Sequence, residues 1–484
     1  MIFTRFYDDN LAQASYMIAD EKTREALVVD PTADIALYQR AAGADRLRIT
    51  HVTETHVHAD FVSGAASLAD ATGATLHLSA ADRSEWSYSP AALRRANNLE
   101  DDSEISFGRI RVRAVHTPGH TPEHLAFLVS DLARGEEPVG AFTGDFLFVG
   151  EVGRPDLLER AAGAAGTMQK AASQLFDSLQ RFKSQPDYLL VWPGHGAGSA
   201  CGKSLGSMPQ SSVGYEKLFN WALGDLSEGE FVDRVLRDQP VPPAYFAAMK
   251  KINRRADVLP SAVPVKRASL RDLAGALRRG EVVVDTRAAA QFAEGHIPGT
   301  LNIPYNKSFL NWFGTLVSFG KPVFLLTDDD SGDRALTLAC ELRKIGFTDL
   351  SGYAGPDVIA EWKSDGKDLE TVDQIDVAQL RSADAAVQIV DVRGPEEWAK
   401  GHLRGALHIP LSALPERVDD LDTSRPVVLH CQGGGRSSIA TSFLQAKGIA
   451  NVANLQGGYD SWVANGFEVE EPAGKSSAPS RRRN

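Results

Sequence analysis

The sequence predicts a multidomain protein of α/β and α+β class, and three observations carry that prediction. Its 484 residues are enough for about three domains of ordinary size. Short apolar runs alternate with polar helical stretches over roughly the first 240 residues, the pattern of a layered α/β domain. The remainder contains an internal repeat, which reads as two copies of one α/β domain.

In the first region ALVVD (26–30), ITHVTETH (49–56), IRVRAVHTP (110–118), HLAFLVS (124–130), GAFTGDFLF (140–148) and YLLVWPGH (188–195) read as strands. Histidines and aspartates fall at the ends of several of them, where layered proteins place chemistry. A helical segment at about 212–256 leads out of the region, and SAVPVKRA (261–268) reads as a linker. EVVVDTR (281–287) then matches VQIVDVR (387–393), and EGHIPGTLNIP (294–304) matches KGHLRGALHIP (400–410), both at an offset of 106. VFLLTDDDSGDR matches VVLHCQGGGRSS with Arg334 under Arg436, at an offset of 102. The first repeat therefore carries four extra residues between Pro304 and Asp329, and Asp329 stands where the second repeat has Cys431. The expected boundaries are 1–256 for the first domain, 266–368 and 374–468 for the repeats, and 471–484 for a disordered tail.

Composition excludes several classes. A net charge of -12 leaves no basic footprint for nucleic acid, apart from a few arginines in the tail. No window is apolar for long enough to cross a bilayer, and the N-terminus lacks the pattern of a secretory signal. Cys201, Cys340 and Cys431 are too few and too odd in number for a disulfide framework. They suggest free thiols in a reducing, cytoplasmic setting. Cys340, inside the helical stretch ALTLACELRKIG, reads as packed.

Two chemistries stand out. The first is a set of possible metal ligands, His56, His58, Asp60, His116, His120, His124, Asp145 and His195, several of them at strand ends beside turn formers. Imidazole and carboxylate suit first-row metals. The stretch ETHVHADF ends in Phe61, whose ring has no lone pair for an ion, although a phenylalanine there is also ordinary core packing. The second is HCQGGGRSS after the strand-like VVL. Cys431 at the strand end, Gly433, Gly434 and Gly435 turning amides inward, a helix start and the charge of Arg436 form a cradle for a thiolate or persulfide.

THVHAD, HTPGHT, TGD and PGH, in that order, resemble the metallo-β-lactamase superfamily. The resemblance implies an αβ/βα sandwich with metal between its sheets. Two-metal hydrolases of that superfamily usually read H-x-H-x-D-H; Phe61 in the last position suggests one ion. Within the superfamily the sequence looks most like the persulfide dioxygenases. That implies Fe(II), one per chain, held by His56, His120 and Asp145, with His58, Asp60 and His195 orienting the ligands. GRPDL (153–157) resembles a further motif of the family, in which Arg154 either holds the acidic end of a substrate or makes a structural pair with Asp156. The loop after His195 holds Cys201 and Lys203 and resembles longer bacterial enzymes that join a persulfide dioxygenase to two rhodanese modules. There Cys201 is either a sulfur relay or a small residue in a tight loop, and Lys203 a substrate contact.

DVR, EEW, GHLRGALHIP and CQGGGRS resemble rhodanese sulfurtransferases. The four-residue spacing between Cys431 and Arg436 suits sulfur rather than a larger oxyanion. The first repeat, with Asp329 in place of the nucleophile, is expected to be inactive because its carboxylate repels anions and forms no persulfide. Together the resemblances imply a dioxygenase that turns a low-molecular-weight thiol persulfide and O2 into thiol and sulfite. A coupled sulfurtransferase then uses a Cys431 persulfide and sulfite to make thiosulfate. They also imply a homo-oligomer. The rival expectation is a metal-dependent thioester hydrolase with an attached sulfurtransferase.

Overall fold

The computed structural model describes residues 1–470 except 164–165, 200, 204, 238, 240, 261–264 and 384–385. The expected tail at 471–484 and the first half of the expected linker lie outside the described residues. The chain divides into two compact units, Met1–Val263 with Leu338–Thr348, and Pro264–Thr337 with Asp349–Asn484.

The first unit is built on two six-stranded sheets. β1 to β6 (Ile2–Asp8, Gln13–Ala19, Glu25–Val29, Arg48–Thr53, Thr75–Ser79, Asn97–Leu99) pair in sequence order. β7 to β12 (Glu104–Phe107, Ile110–His116, Leu125–Asp131, Gly140–Gly144, Leu190–Pro193, Ser211–Ser212) form the second sheet, also in order. Side chains alternate between the faces of a strand. Tyr16 and Ile18 of β2 therefore join Val112, Phe127, Phe142 and Trp192 in a core between the sheets. Met17 and Ala19 point the other way, onto Tyr38 and Leu68 of the helices Ile35–Ala44 and Ala65–Thr72. On the far side, Ala172, Leu175, Leu179 and Phe182 of the helix Met168–Phe182 recur at helical spacing and cover Leu128, Ala141 and Val191. The result is the αβ/βα sandwich expected.

The core also ties the sheets together at one end. The Tyr16 and Phe142 rings pack in a tilted pair with centroids 4.9 Å apart, a contact worth about 1 kcal/mol beyond burial. Its hydroxyl donates to the carbonyl of Pro193 at 2.7 Å, and the Ala14 amide donates to Gly194 at 2.7 Å. The loop that carries His195 is thereby held against β2.

The second unit contains the sheets of both repeats, while residues 338–348 of the first repeat group with the first unit. In the first, β13 to β16 (Val282–Asp285, Leu301–Asn302, Val323–Leu326, Leu350–Ala354) pair in the order β14-β13-β15-β16, all parallel. In the second, β17 to β23 are Asp373–Ile375, Gln388–Asp391, His402–Leu403, Leu407–His408, Val427–His430, Val452–Leu455 and Val469–Glu470. Five of them pair in the order β17-β22-β21-β18-β20. The shared order confirms the internal repeat. Cys340 departs from its expectation: it is exposed. Leu338 and Leu342 of its helix, Asp333–Lys344, are fully buried, and a residue midway between them faces outward. Among the described residues no helix is long and apolar enough to cross a membrane.

Candidate metal centre and thiol site

Of the eight candidate ligands in the first unit, three converge. Donor atoms of His56, His120 and Asp145 lie within 4.8 Å of one another, and all three residues are buried. His120 Nε2 is 3.5 Å and His56 Nε2 3.9 Å from Asp145 Oδ2. The segment after β4 supplies His56, the loop between β8 and β9 supplies His120, and the end of β10 supplies Asp145. Gly144 adopts φ +48°, and a Cβ there would meet Thr55 Oγ1 at 2.5 Å and His124 Nε2 at 2.7 Å. The glycine before Asp145 is thus required both for backbone conformation and for space.

The hydrogen bonds decide which ring nitrogens are open. Thr55 Oγ1 donates to Asp30 Oδ2 at 3.0 Å, so at 2.9 Å it accepts from His56 Nδ1–H. His120 Nδ1–H donates to the Arg154 carbonyl at 3.0 Å. Both rings therefore turn a lone pair on Nε2 toward Asp145. Burial first, then the neighbouring histidines, holds the His56 pKa well below its usual value; burial also lowers that of His120. Neutral imidazoles are what a metal needs. His56 Nε2 and Asp145 Oδ2 are buried with no hydrogen-bond partner, a costly state that a bound cation relieves. The residues present fit a metal.

The expected orienting residues have definite roles. His195 donates from Nδ1 to Asp145 Oδ1 and from Nε2 to Asp60 Oδ2, each at 2.7 Å. Burial opposes its charge, but the two carboxylates outweigh burial and raise its pKa well above the usual value. One oxygen of Asp145 is thus occupied and the other left for the metal. His58 donates from Nε2 to Asp30 Oδ1 at 3.1 Å, and its ring lies 4.3 Å from that of Phe61, which is fully buried. The other two candidates turn elsewhere. His116 bonds the Pro122 carbonyl, and His124 accepts the Asp145 amide at 3.2 Å. Asp30, which joins Thr55 to His58, was not among the candidates; its only sequence signal is its place at the end of the strand ALVVD.

The remaining candidates lie as follows. Arg154 is fully buried and forms a two-pronged pair with Asp156, at 2.9 and 2.8 Å, while its carbonyl orients His120. Lys203 Nζ reaches the Arg234 carbonyl at 3.4 Å. Cys201 is buried and forms a second donor group with Asp60 and His195. Burial first, then Asp60 and Asp145, pushes its thiol pKa well up, opposite to the shift a nucleophilic cysteine requires.

In the second repeat Cys431 ends β21 and is buried at the head of the helix Gly435–Ala446. Its Sγ accepts from the Gly434 amide at 3.1 Å and the Ser437 hydroxyl at 3.6 Å. Ser437 was not among the candidates, although it lies within the quoted GGGRSS. Gly434 has φ +100°, and its amide reaches Sγ from that left-handed conformation. Arg436 is held by Glu397 through two bonds of 2.6 Å, which raise its pKa.

Both folds recur in known proteins. The metallo-beta-lactamase superfamily profile matches residues 8–195, and the rhodanese-like domain profile matches 269–356 and 374–465. The solved structure of a metallo-beta-lactamase from Staphylococcus aureus subsp. aureus COL is 38% identical, with a TM-score of 0.66 over 73% of this chain and 99% of that one. A sulfurtransferase of Allochromatium vinosum is 37% identical over 106 residues, 21% of this chain and 99% of its own. The mitochondrial persulfide dioxygenase ETHE1 of Bos taurus is 26% identical over 201 residues, 40% of this chain and 68% of its own. A probable polyketide biosynthesis zinc-dependent hydrolase, PksB, of Bacillus subtilis is 28% identical over 202 residues, 42% and 80%. The chain belongs to the metallo-beta-lactamase superfamily, as an enzyme in which a domain of that fold precedes two rhodanese-like domains.

Proposed function

We propose that the protein is a cytoplasmic non-haem Fe(II) persulfide dioxygenase joined to a thiosulfate-forming sulfurtransferase. The observation that carries this reading is the buried convergence of two neutral histidines and one carboxylate oxygen, His56, His120 and Asp145, in a chain that also holds the Cys431 cradle. One iron held by these three residues would supply O2 binding and reduction beside a substrate sulfur. The overall change is R–S–SH + O2 + H2O to R–SH, sulfite and two protons.

The chain's own residues set the stage for that change. Thr55 and the Arg154 carbonyl fix the two imidazoles, and His195 holds Asp145. Phe61 packs against His58 where a two-metal enzyme would have a ligand. Cys201 lies buried beside Asp60 and His195, where burial and the nearby carboxylates raise its thiol pKa. In the second repeat the Cys431 thiolate attacks the outer sulfur of a persulfide; one S–S bond forms, one breaks, and the thiol R–SH leaves. Sulfite then attacks that outer sulfur and leaves as thiosulfate, restoring the thiolate. No net oxidation occurs. Gly434, Ser437 and Arg436 stabilise the anionic sulfur throughout. Joining both activities raises the effective concentration of sulfite at Cys431.

A second reading, a metal-dependent thioester hydrolase, draws on the donor group of Asp60, His195 and Cys201 beside the first, which would serve a second ion. The test is O2 uptake by iron-loaded protein on addition of glutathione persulfide. Uptake that stops on chelation of Fe(II) and is absent in Asp145→Asn, with sulfur transfer retained, is the expected result. Thioester hydrolysis without O2 uptake, at two metals per chain, would replace it with the hydrolase.

A further inference from the structure

Cys431 lines a cavity of about 610 Å³, and most of the other lining residues come from the first repeat. Tyr305, Asn306, Trp312 and Arg334 face it from that side; Cys431 and Arg436 face it from the other. Three features make this wall a specific one. Arg334 is the repeat-equivalent of Arg436, so the two cradle arginines converge on a single cavity. The segment that carries Tyr305 and Trp312 is the one in which the first repeat has extra residues: it forms the helix Phe309–Leu316, where the second repeat has two short turns, Leu414–Glu416 and Val418–Asp420. The wall is also fastened to the catalytic helix. Ser442 accepts from the Asn302 amide at 3.0 Å and donates to the Asn302 carbonyl at 3.3 Å, joining β14 to Gly435–Ala446.

The arginine geometry suits an anionic ligand. Asp328 takes Nε of Arg334 at 3.0 Å, and the guanidinium lies over the Tyr305 ring at 5.1 Å. A guanidinium held by one carboxylate and one ring is pre-organised, which lowers the entropy lost when it binds a second anion. The volume is in the range of sites for organic ligands, about 300–1,000 Å³, and far exceeds the need of sulfite or thiosulfate alone.

We propose that the first repeat is the carrier-recognition wall of the sulfurtransferase: Arg334, with Tyr305 and Trp312, binds the anionic organic portion of a thiol persulfide whose outer sulfur is presented to Cys431. This rests on the reading of Cys431 as the sulfur acceptor. The step is the transfer already balanced above; Arg334 positions the carrier and takes no part in bond exchange.

The experiment compares two sulfur donors on the full-length protein. Glutathione persulfide carries a large anionic carrier, whereas thiosulfate presents only a small oxyanion. Transfer to Cys431 is followed by mass spectrometry for the persulfide and by steady-state kinetics. In Arg334→Gln and Trp312→Phe, kcat/KM for glutathione persulfide is expected to fall about tenfold or more, chiefly through KM. The value for thiosulfate should fall much less, so that the ratio between the donors shifts. Equal loss for both donors, or no loss for either, would overturn the assignment. Trp312→Phe keeps an aromatic ring in the wall and guards against a folding defect, which thermal unfolding of both variants would expose. If the parent protein forms no Cys431 persulfide from either donor, the sulfur-transfer reading falls first and the carrier wall with it.

Discussion

The two repeats share a scaffold and differ most in chemistry at the loop that follows the central strand. Asp285 and Arg287 of the first form a buried bidentate pair, with Arg287 Nη2 also donating to the Gly295 carbonyl at 3.1 Å. Asp391 and Arg393 of the second repeat the arrangement, with Arg393 Nη2 donating to Gly401 at 2.8 Å. Phe292 stacks on His296 at 3.7 Å as Trp398 does on His402 at 3.6 Å. At the cradle they part. Cys431 lines the cavity, whereas Asp329 Oδ2 takes the Ser331 hydroxyl at 2.6 Å and the Arg334 amide at 3.2 Å. The strand pairing corrects the expected alignment: Leu326 lies beside Asp285 as His430 lies beside Asp391, so Thr327, not Asp329, follows the strand at the place of Cys431, and Asp329 sits two residues further along a longer loop. Neither Thr327 nor Asp329 carries a sulfur that could form a persulfide. Buried pairs that hold the fold together persist in both repeats; an exposed loop is able to change its chemistry without cost to the scaffold.

The largest test of this contrast exchanges the two loop residues. Cys431→Ser should reduce thiosulfate formation to background while O2 uptake persists. Thr327→Cys in that background should restore none of it, because Ser331 and Asp333 stand where the second repeat has glycines, and Asp328 and Asp330 disfavour a thiolate. Persulfide on residue 327, read by mass spectrometry, would show that the loop sequence matters less than the nucleophile.

A smaller effect probes the shared scaffold. Arg287→Met and Arg393→Met each leave a buried aspartate unpaired, at about 3–5 kcal/mol. Chemical denaturation should find similar losses in the two variants. A loss confined to one of them would mean that the repeats do not rely on the same clamp.

The smallest concerns pH. Asp329 is held below its ordinary pKa of 3.8 chiefly by the Ser331 hydroxyl, with the Arg334 amide adding to it. A depressed carboxyl contributes stability that is fully present above the unfolded value and is lost as pH falls through the folded one. Asp329→Ala should cost about 1 kcal/mol at neutral pH, as loss of a helix-terminal acceptor does. The difference from the parent protein should shrink as pH falls below 3.8. A difference independent of pH would place the stabilisation in packing instead.

The sequence by itself determined what short spacing carries. His56, His120 and Asp145 fall at strand ends beside turn-forming residues, and the repeat shows itself through matched strings at fixed offsets. Cys431, its glycines and Arg436 occupy six consecutive residues, so the cradle was legible as one local unit. Long-range packing decided the rest. Asp30 reaches His58 across 28 residues, Glu397 reaches Arg436 across 39, and Asp60 reaches His195 across 135. Such partners follow from how sheets and loops stack, which no local pattern encodes. The environment of Cys201 is of this kind: the thiol is identical in any sequence reading, and only the fold shows that burial, with Asp60 and Asp145, raises its pKa. Arg334 is another, since its alignment with Arg436 is visible in the repeat, but its place in the same cavity as Cys431 exists only when the two repeats are packed together.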